Sequence, residues 1–123
     1  INEVIPTTYI RSGVYKIYHK LKVIYIGETR CDGTVVSRKG MWSRRSDFRS
    51  TVQSNGKVKN PYGNAVRFLE LYGKEELDNV SHAFHYVHPK YCKEAELQLL
   101  KEYHAQHDTL PALQTEIDYK RVG

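Results

Sequence analysis

Apolar and polar side chains alternate from Gly13 to His19, with Val14, Lys16 and Tyr18 on one side and Tyr15, Ile17 and His19 on the other. A period of two predicts a strand. Val23 to Ile26 is short, β-branched and aromatic, which predicts a second. The three residues Lys20-Leu21-Lys22 between them predict a tight antiparallel hairpin. Residues 28–40 are polar, contain Gly33 and Gly40, and read as a long loop. Met41 to Gln53 holds no Gly or Pro and reads as a helix, ended by Ser54-Asn55-Gly56. Asn60-Pro61 predicts the start of the next helix, Asn as cap and Pro in the first turn. Tyr62, Ala65, Val66, Leu69 and Tyr72 then recur at helical spacing, and Gly73 closes the segment. Ser81 to Val87 predicts a third strand, stopped by Pro89, and a last helix runs from about Tyr91 to His107. The expected fold is α+β, in the order β-β-α-α-β-α, with a small three-stranded antiparallel sheet flanked by helices.

The last helix carries an anomaly. Cys92, Ala95, Glu96, Leu99, Leu100 and Tyr103 share one face, and Glu96 is the one member unsuited to burial. A carboxylate on a buried stripe needs a cation, a metal or a dense set of hydrogen bonds. The alternative is a rim position where Glu96 reaches water. Glu94 and Glu102 lie off this face and read as solvated charges.

Composition narrows the class of protein. The chain has 123 residues, one domain's worth, with 40% hydrophobic and 27% charged residues. Gly, Pro and Cys are too few for collagen-like, disordered or disulfide-framework readings. No apolar run is long enough for a membrane helix. Cys31 and Cys92 form no C-x-x-C pair, which suits a reducing, intracellular compartment. The chain begins at Ile1 and its one methionine is Met41, so it is expected to be processed or cut from something longer.

The formal charge is +5, concentrated in the middle of the chain. Arg30, Arg38, Lys39, Arg44, Arg45, Arg49, Lys57, Lys59 and Arg67 face only Asp32 and Asp47 between residues 30 and 67, interleaved with Trp42, Phe48 and Tyr62. Such a block suits a nucleic-acid phosphate backbone; the plain alternative is a solvated basic face. His82, His85, His88 and Cys92 have the look of a metal cluster. On a strand, however, His85 points away from His82 and His88, so they do not converge.

Gly13-Val14-Tyr15 on the first strand and Tyr25-Ile26-Gly27 on the second resemble the paired triplets of the GIY-YIG nuclease superfamily, with Val in place of Ile in the first. The family carries an arginine on its first helix, and Met41-Trp42-Ser43-Arg44 with Phe48 four residues on is similar to that segment; Arg45, with Arg49 four on, is the neighbouring match. It also carries a metal-binding glutamate on the last helix, and Glu96 followed by Leu99-Leu100-Lys101 resembles that pattern. The long stretch between Gly27 and Arg44 resembles members with loop insertions, restriction endonucleases among them. Where the family often has Asn after a late Pro, this chain has Gln114 after Pro111, a supporting residue in the same pattern. The resemblance covers about residues 12–114 of a single domain spanning 1–123.

The resemblance implies a divalent-metal-dependent DNA endonuclease. Glu96 would hold Mg²⁺ (or Mn²⁺), Arg44 would stabilise the scissile phosphate, and Tyr15 would act as general base with Tyr25 positioning the water. Gly13 and Gly27 complete the triplets, and Lys39, Arg45, Arg49, Lys57, Lys59 and Arg67 would grip DNA phosphates. Tyrosine has a reference pKa of about 10, so ionising it at pH 7 costs about 4 kcal/mol. A nearby metal and the basic block are expected to supply part of that. A DNA-binding module of the same fold without cleavage is the alternative. Specificity would come from residues 28–40 and 54–60, a homodimer or a partner domain; no membrane partner is expected.

Overall fold

The computed structural model describes residues 12–30 and 41–123, and only the backbone of 41–43. Residues 31–40, Lys39 and Cys31 among them, lie outside the described residues, so the long loop expected over 28–40 is not described there. Three strands form one antiparallel sheet in the order β2-β1-β3: β1 (Gly13–His19), β2 (Lys22–Thr29) and β3 (Val80–Tyr86). β1 is central, which explains its nearly continuous burial. The hairpin is tighter than the sequence suggested. Lys22 pairs with His19, leaving Lys20-Leu21 as a two-residue turn, and Lys20 takes a positive φ of 59°. The second strand also runs on past Ile26, because Gly27, Glu28 and Thr29 pair with Tyr15, Val14 and Gly13.

Ile17 pairs with Tyr25 but Tyr18 pairs with Val23, so Ile24 is the extra residue of a β-bulge. Ile24 joins the core of Tyr15 and Ile17, whereas Ile26 packs with Leu100 and Leu110 in a second cluster. The first core is completed by Phe48 and Val52 of α1 (Met41–Gln53) and by Ala65 and Phe68 of α2 (Gly63–Leu71). Helix α3 (Cys92–His107) supplies Leu100 to the second cluster, with Leu99 and Tyr103 partly buried beside it. The expected element order is present, with short 3-10 turns at Lys74–Asn79 and Pro89–Tyr91 between elements. No described helix is long and apolar enough to cross a membrane.

Two differences from the sequence reading bear on the site. Helix α2 starts at Gly63 rather than at Asn60-Pro61: Tyr62 occupies the cap position with extended backbone, and its N–H donates to Thr51 Oγ1 at 3.1 Å. The tie to the end of α1 holds the chain out of helical conformation until Tyr62 has passed over the sheet. The second difference is a further helix, α4 (Glu116–Val122). It has two turns and no apolar stripe, but Glu116 and Asp118 open it and Lys120 and Arg121 close it, as the helix dipole favours.

The outer edge of β2 is covered by the segment leading into α4. Leu113 N–H donates to Ile24 C=O at 2.8 Å, and the Gln114 amide both accepts from Ile26 N–H (2.7 Å) and donates to Ile26 C=O (3.2 Å). An edge strand otherwise presents unpaired backbone groups. Gln114 therefore clamps the peptide between Tyr25 and Gly27.

Candidate active site

The two triplets meet across the β1–β2 ladder, where Tyr15 pairs with Gly27. A Cβ at Gly27 would lie 2.6 Å from Tyr25 Cε2, 2.7 Å from Tyr15 Cζ and 2.8 Å from the Tyr15 hydroxyl. Glycine is required here by space. Both tyrosine rings lie across its Cα, with centroids 6.0 Å apart, and Phe84 of β3 backs Tyr15 at 6.3 Å. Gly13 is buried at the start of β1, between Thr29 and Tyr86.

Tyr15 is only 3% exposed. Its hydroxyl meets that of Tyr62 at 2.6 Å, and Tyr62 in turn accepts from Asn64 Nδ2 at 2.9 Å. Asn64 is buried, and it also favours the ionised form of Tyr25, against the burial that opposes it. Arg67 fixes that amide by donating to Asn64 Oδ1, and its Nε donates to Leu113 C=O at 3.0 Å. The guanidinium expected to grip DNA is thus half-buried and committed to organising the site.

Arg44 lies over the Tyr62 ring, 5.8 Å from its centroid, and its buried Nε has no hydrogen-bond partner among the described residues. A buried guanidinium N–H without an acceptor is costly unless a ligand supplies one. Arg45 is exposed, and Arg49 is half-buried on the same helix. Between the two arginines that match the family pattern, Arg44 is the one against the tyrosines. Lys57 and Lys59 are exposed on the segment that leads into Tyr62.

Glu96 is 8% exposed, so it is no rim residue. The cation its helix face demanded comes from α4: Arg121 Nη1 stands 2.7 Å from Glu96 Oε1 and 3.0 Å from Asp118 Oδ1. Asp118 also accepts from Gln114 Nε2 at 2.8 Å, which ties this ion pair to the β2 clamp. Burial pushes the Glu96 carboxyl up, with Arg121 opposing it and Glu28 and Asp118 adding to the rise.

Electrostatics at the tyrosines run against the expectation. Burial first, then the neighbouring Tyr62 and Tyr25, pushes Tyr15 well above its usual value, and Arg44 offsets only part of this. Tyr25 is pushed up to about 12 by burial and Tyr62, with Glu96 and Asp118 adding to it and Asn64 opposing. The basic block therefore does not make Tyr15 a ready phenolate. The influence of Glu96 and Asp118 on Tyr25 also means that the phenols and carboxylates belong to one electrostatic neighbourhood.

Among the described residues no group of three His, Cys, Asp or Glu converges as a metal cage. The donor set at Glu96 fits a hard divalent cation that keeps its waters and takes phosphate oxygens; it does not fit a protein-only site. The histidines divide as strand geometry requires. His82 packs edge-on against Phe48 at 5.5 Å, His85 lies one step out of phase on β3, and His88 caps the turn before α3 by accepting from Lys90 N–H at 3.1 Å.

Four residues of the site escaped the sequence reading: Tyr62, Asn64, Asp118 and Arg121. Tyr62 had been visible only as a member of an apolar stripe and an aromatic in the basic block. No protein-family model matches the chain, and no curated protein and no solved structure matches it.

Proposed function

We propose that the chain is a metal-dependent DNA endonuclease domain of the GIY-YIG type, hydrolysing phosphodiester bonds. The observation that carries this reading is the packing of both triplet tyrosines across Gly27, with Arg44, whose buried Nε has no partner among the described residues, over the adjoining Tyr62 ring, and Glu96 near enough to act on Tyr25. Each part matches a requirement of phosphodiester hydrolysis: a cation for the developing charge, a proton acceptor for water, and a dry, fixed geometry.

In this reading Glu96 holds Mg²⁺ or Mn²⁺, which when bound draws charge from the phosphate and makes its water more acidic. Arg44 turns its guanidinium to a non-bridging oxygen of the scissile phosphate and stabilises it as negative charge builds. The tyrosine cluster orients the attacking water and takes its proton. Arg45, Arg49, Lys57 and Lys59 grip flanking phosphates without reading sequence. Arg121 must release or share Glu96 for the cation to bind, since both seek the same carboxylate.

A non-catalytic DNA-binding module of the same fold is the second reading, and the Glu96–Arg121 ion pair favours it by neutralising the metal ligand internally. Mn²⁺ titration calorimetry on the chain and on Glu96→Gln, with a duplex present, separates the two. Binding lost in Glu96→Gln supports the nuclease. DNA binding with no Mn²⁺ uptake supports the module.

A further inference from the structure

We infer that Tyr62, the tyrosine outside both triplets, is the proton acceptor of this site, and that Tyr15 serves as its buried hydrogen-bond donor. The inference rests on the nuclease reading and changes which atom takes the proton.

The hydrogen bonds around Tyr62 have a fixed direction. A guanidinium only donates, so Arg67 must face Asn64 Oδ1, which turns Asn64 Nδ2 toward Tyr62. The Tyr62 oxygen therefore accepts from Asn64. Its contact with Tyr15, 2.6 Å, is at the short end for two hydroxyls and joins them as one acid–base pair. When that pair loses a proton, the charge settles on the oxygen with more donors. Tyr62 would receive two, from Asn64 N–H and Tyr15 O–H; a Tyr15 phenolate would receive the Tyr62 O–H alone. Solvation points the same way, because Tyr15 is 3% exposed whereas Tyr62 is only half-buried. Arg44 places its positive charge over the Tyr62 ring. Of the groups that face Tyr62, Tyr15 comes from β1, Tyr25 from β2, Arg44 from α1, and Asn64 and Arg67 from α2. The upward push on Tyr15 agrees with the assignment.

The step balances simply. Tyr62 first gives its proton to solvent. Water then transfers a proton to the Tyr62 oxygen as its own oxygen bonds to phosphorus. The bond from phosphorus to the leaving sugar oxygen breaks, and that oxygen is protonated from solvent.

The test is a pH titration of the full chain labelled with ¹³Cζ-tyrosine, read by NMR. The phenol with two donors is expected to lose its proton before Tyr15, and Tyr15→Phe, which removes one of those donors, is expected to delay that loss to higher pH. Tyr15 ionising first, or Tyr62 unmoved in Tyr15→Phe, overturns the assignment. In cleavage, a fluorotyrosine at 62, more acidic but the same shape, is expected to shift the rising limb of the pH–rate profile to lower pH. The same replacement at 15 shifting that limb instead, with the one at 62 silent, overturns it too. A wild-type chain that cleaves no DNA removes the nuclease reading and the catalytic role of Tyr62 with it, while the order of titration still decides where the pair holds its charge.

Discussion

Replacing Gly27 by alanine tests the central packing of the site without touching a functional group. The new methyl would sit 2.6–2.8 Å from atoms of Tyr25 and Tyr15, well inside van der Waals contact. The Tyr15 ring has no easy exit, since Phe84 backs it and its hydroxyl is tied to Tyr62. Overpacking of this kind costs about 1–3 kcal/mol, and losing the Tyr15–Tyr62 hydrogen bond adds about 1 kcal/mol. Restricting the unfolded chain returns about 0.4–1 kcal/mol. The net expectation is a loss of about 2 kcal/mol, read as a fall of about 0.7–2 M in the urea midpoint with m unchanged. In a Tyr15→Ala background much of the clash is gone, so the same change should cost at least about 1 kcal/mol less. A Gly27→Ala protein within about 0.5 kcal/mol of wild type, or an undiminished cost in the double variant, would refute the argument that the two triplets are locked together by contact.

Other expectations follow from single contacts. His82 is held neutral, its pKa pushed down to about 4 by burial and then by Arg45 and Arg49. The unfolded chain, at about 6.5, binds more protons in between, so stability is whole above that value and falls as pH drops toward 4, by about 2 kcal/mol at pH 5. His82→Phe should reduce the difference in urea stability between pH 7.5 and 5 by that amount, and an unchanged difference would show that His82 is not the cause. Arg121→Gln leaves the Glu96 carboxylate buried without its cation, so the metal-free protein should lose about 2–3 kcal/mol. The same variant should bind Mn²⁺ several-fold more tightly by calorimetry, and weaker binding would mean that Arg121 helps to build the cation site. Gln114→Leu orphans the Ile26 N–H and C=O at the β2 edge and should cost about 2–3 kcal/mol, with faster hydrogen exchange at Ile26; protection equal to wild type would discount the clamp. Joint substitution of Lys57 and Lys59 by Ser should weaken DNA binding across sequences and flatten its salt dependence by about two units of slope. An unchanged slope would place the phosphate footprint elsewhere.

What the sequence made legible were the periodic and local features. Alternation from Gly13 to His19 defined the central strand, and a single misfit on a helical stripe singled out Glu96, leaving open whether it reached water at a rim or was buried with a cation, a metal or hydrogen bonds. The partner it needed, Arg121, lies on a two-turn helix with no apolar stripe to announce it. The same limit hid Tyr62. Its ring fits a helical apolar face by spacing, while its role comes from a hydroxyl contact with a residue 47 positions away. Arg67 looked like one more charge in a basic block because composition carries no record of which cations the fold consumes. Asn60-Pro61 was a sound local helix signal, overridden by the bond between Tyr62 N–H and Thr51. Local rules found every element but α4; the hydrogen-bond network that joins the tyrosines is a property of the tertiary structure.

The nuclease reading itself turns on one measurement: incubation of supercoiled plasmid with the chain in Mg²⁺, in EDTA, and with Glu96→Gln protein in Mg²⁺. The account predicts nicked or linear product in the first sample alone. Plasmid left intact in Mg²⁺ by a chain that binds it, or cutting that persists in EDTA or in Glu96→Gln, would contradict it.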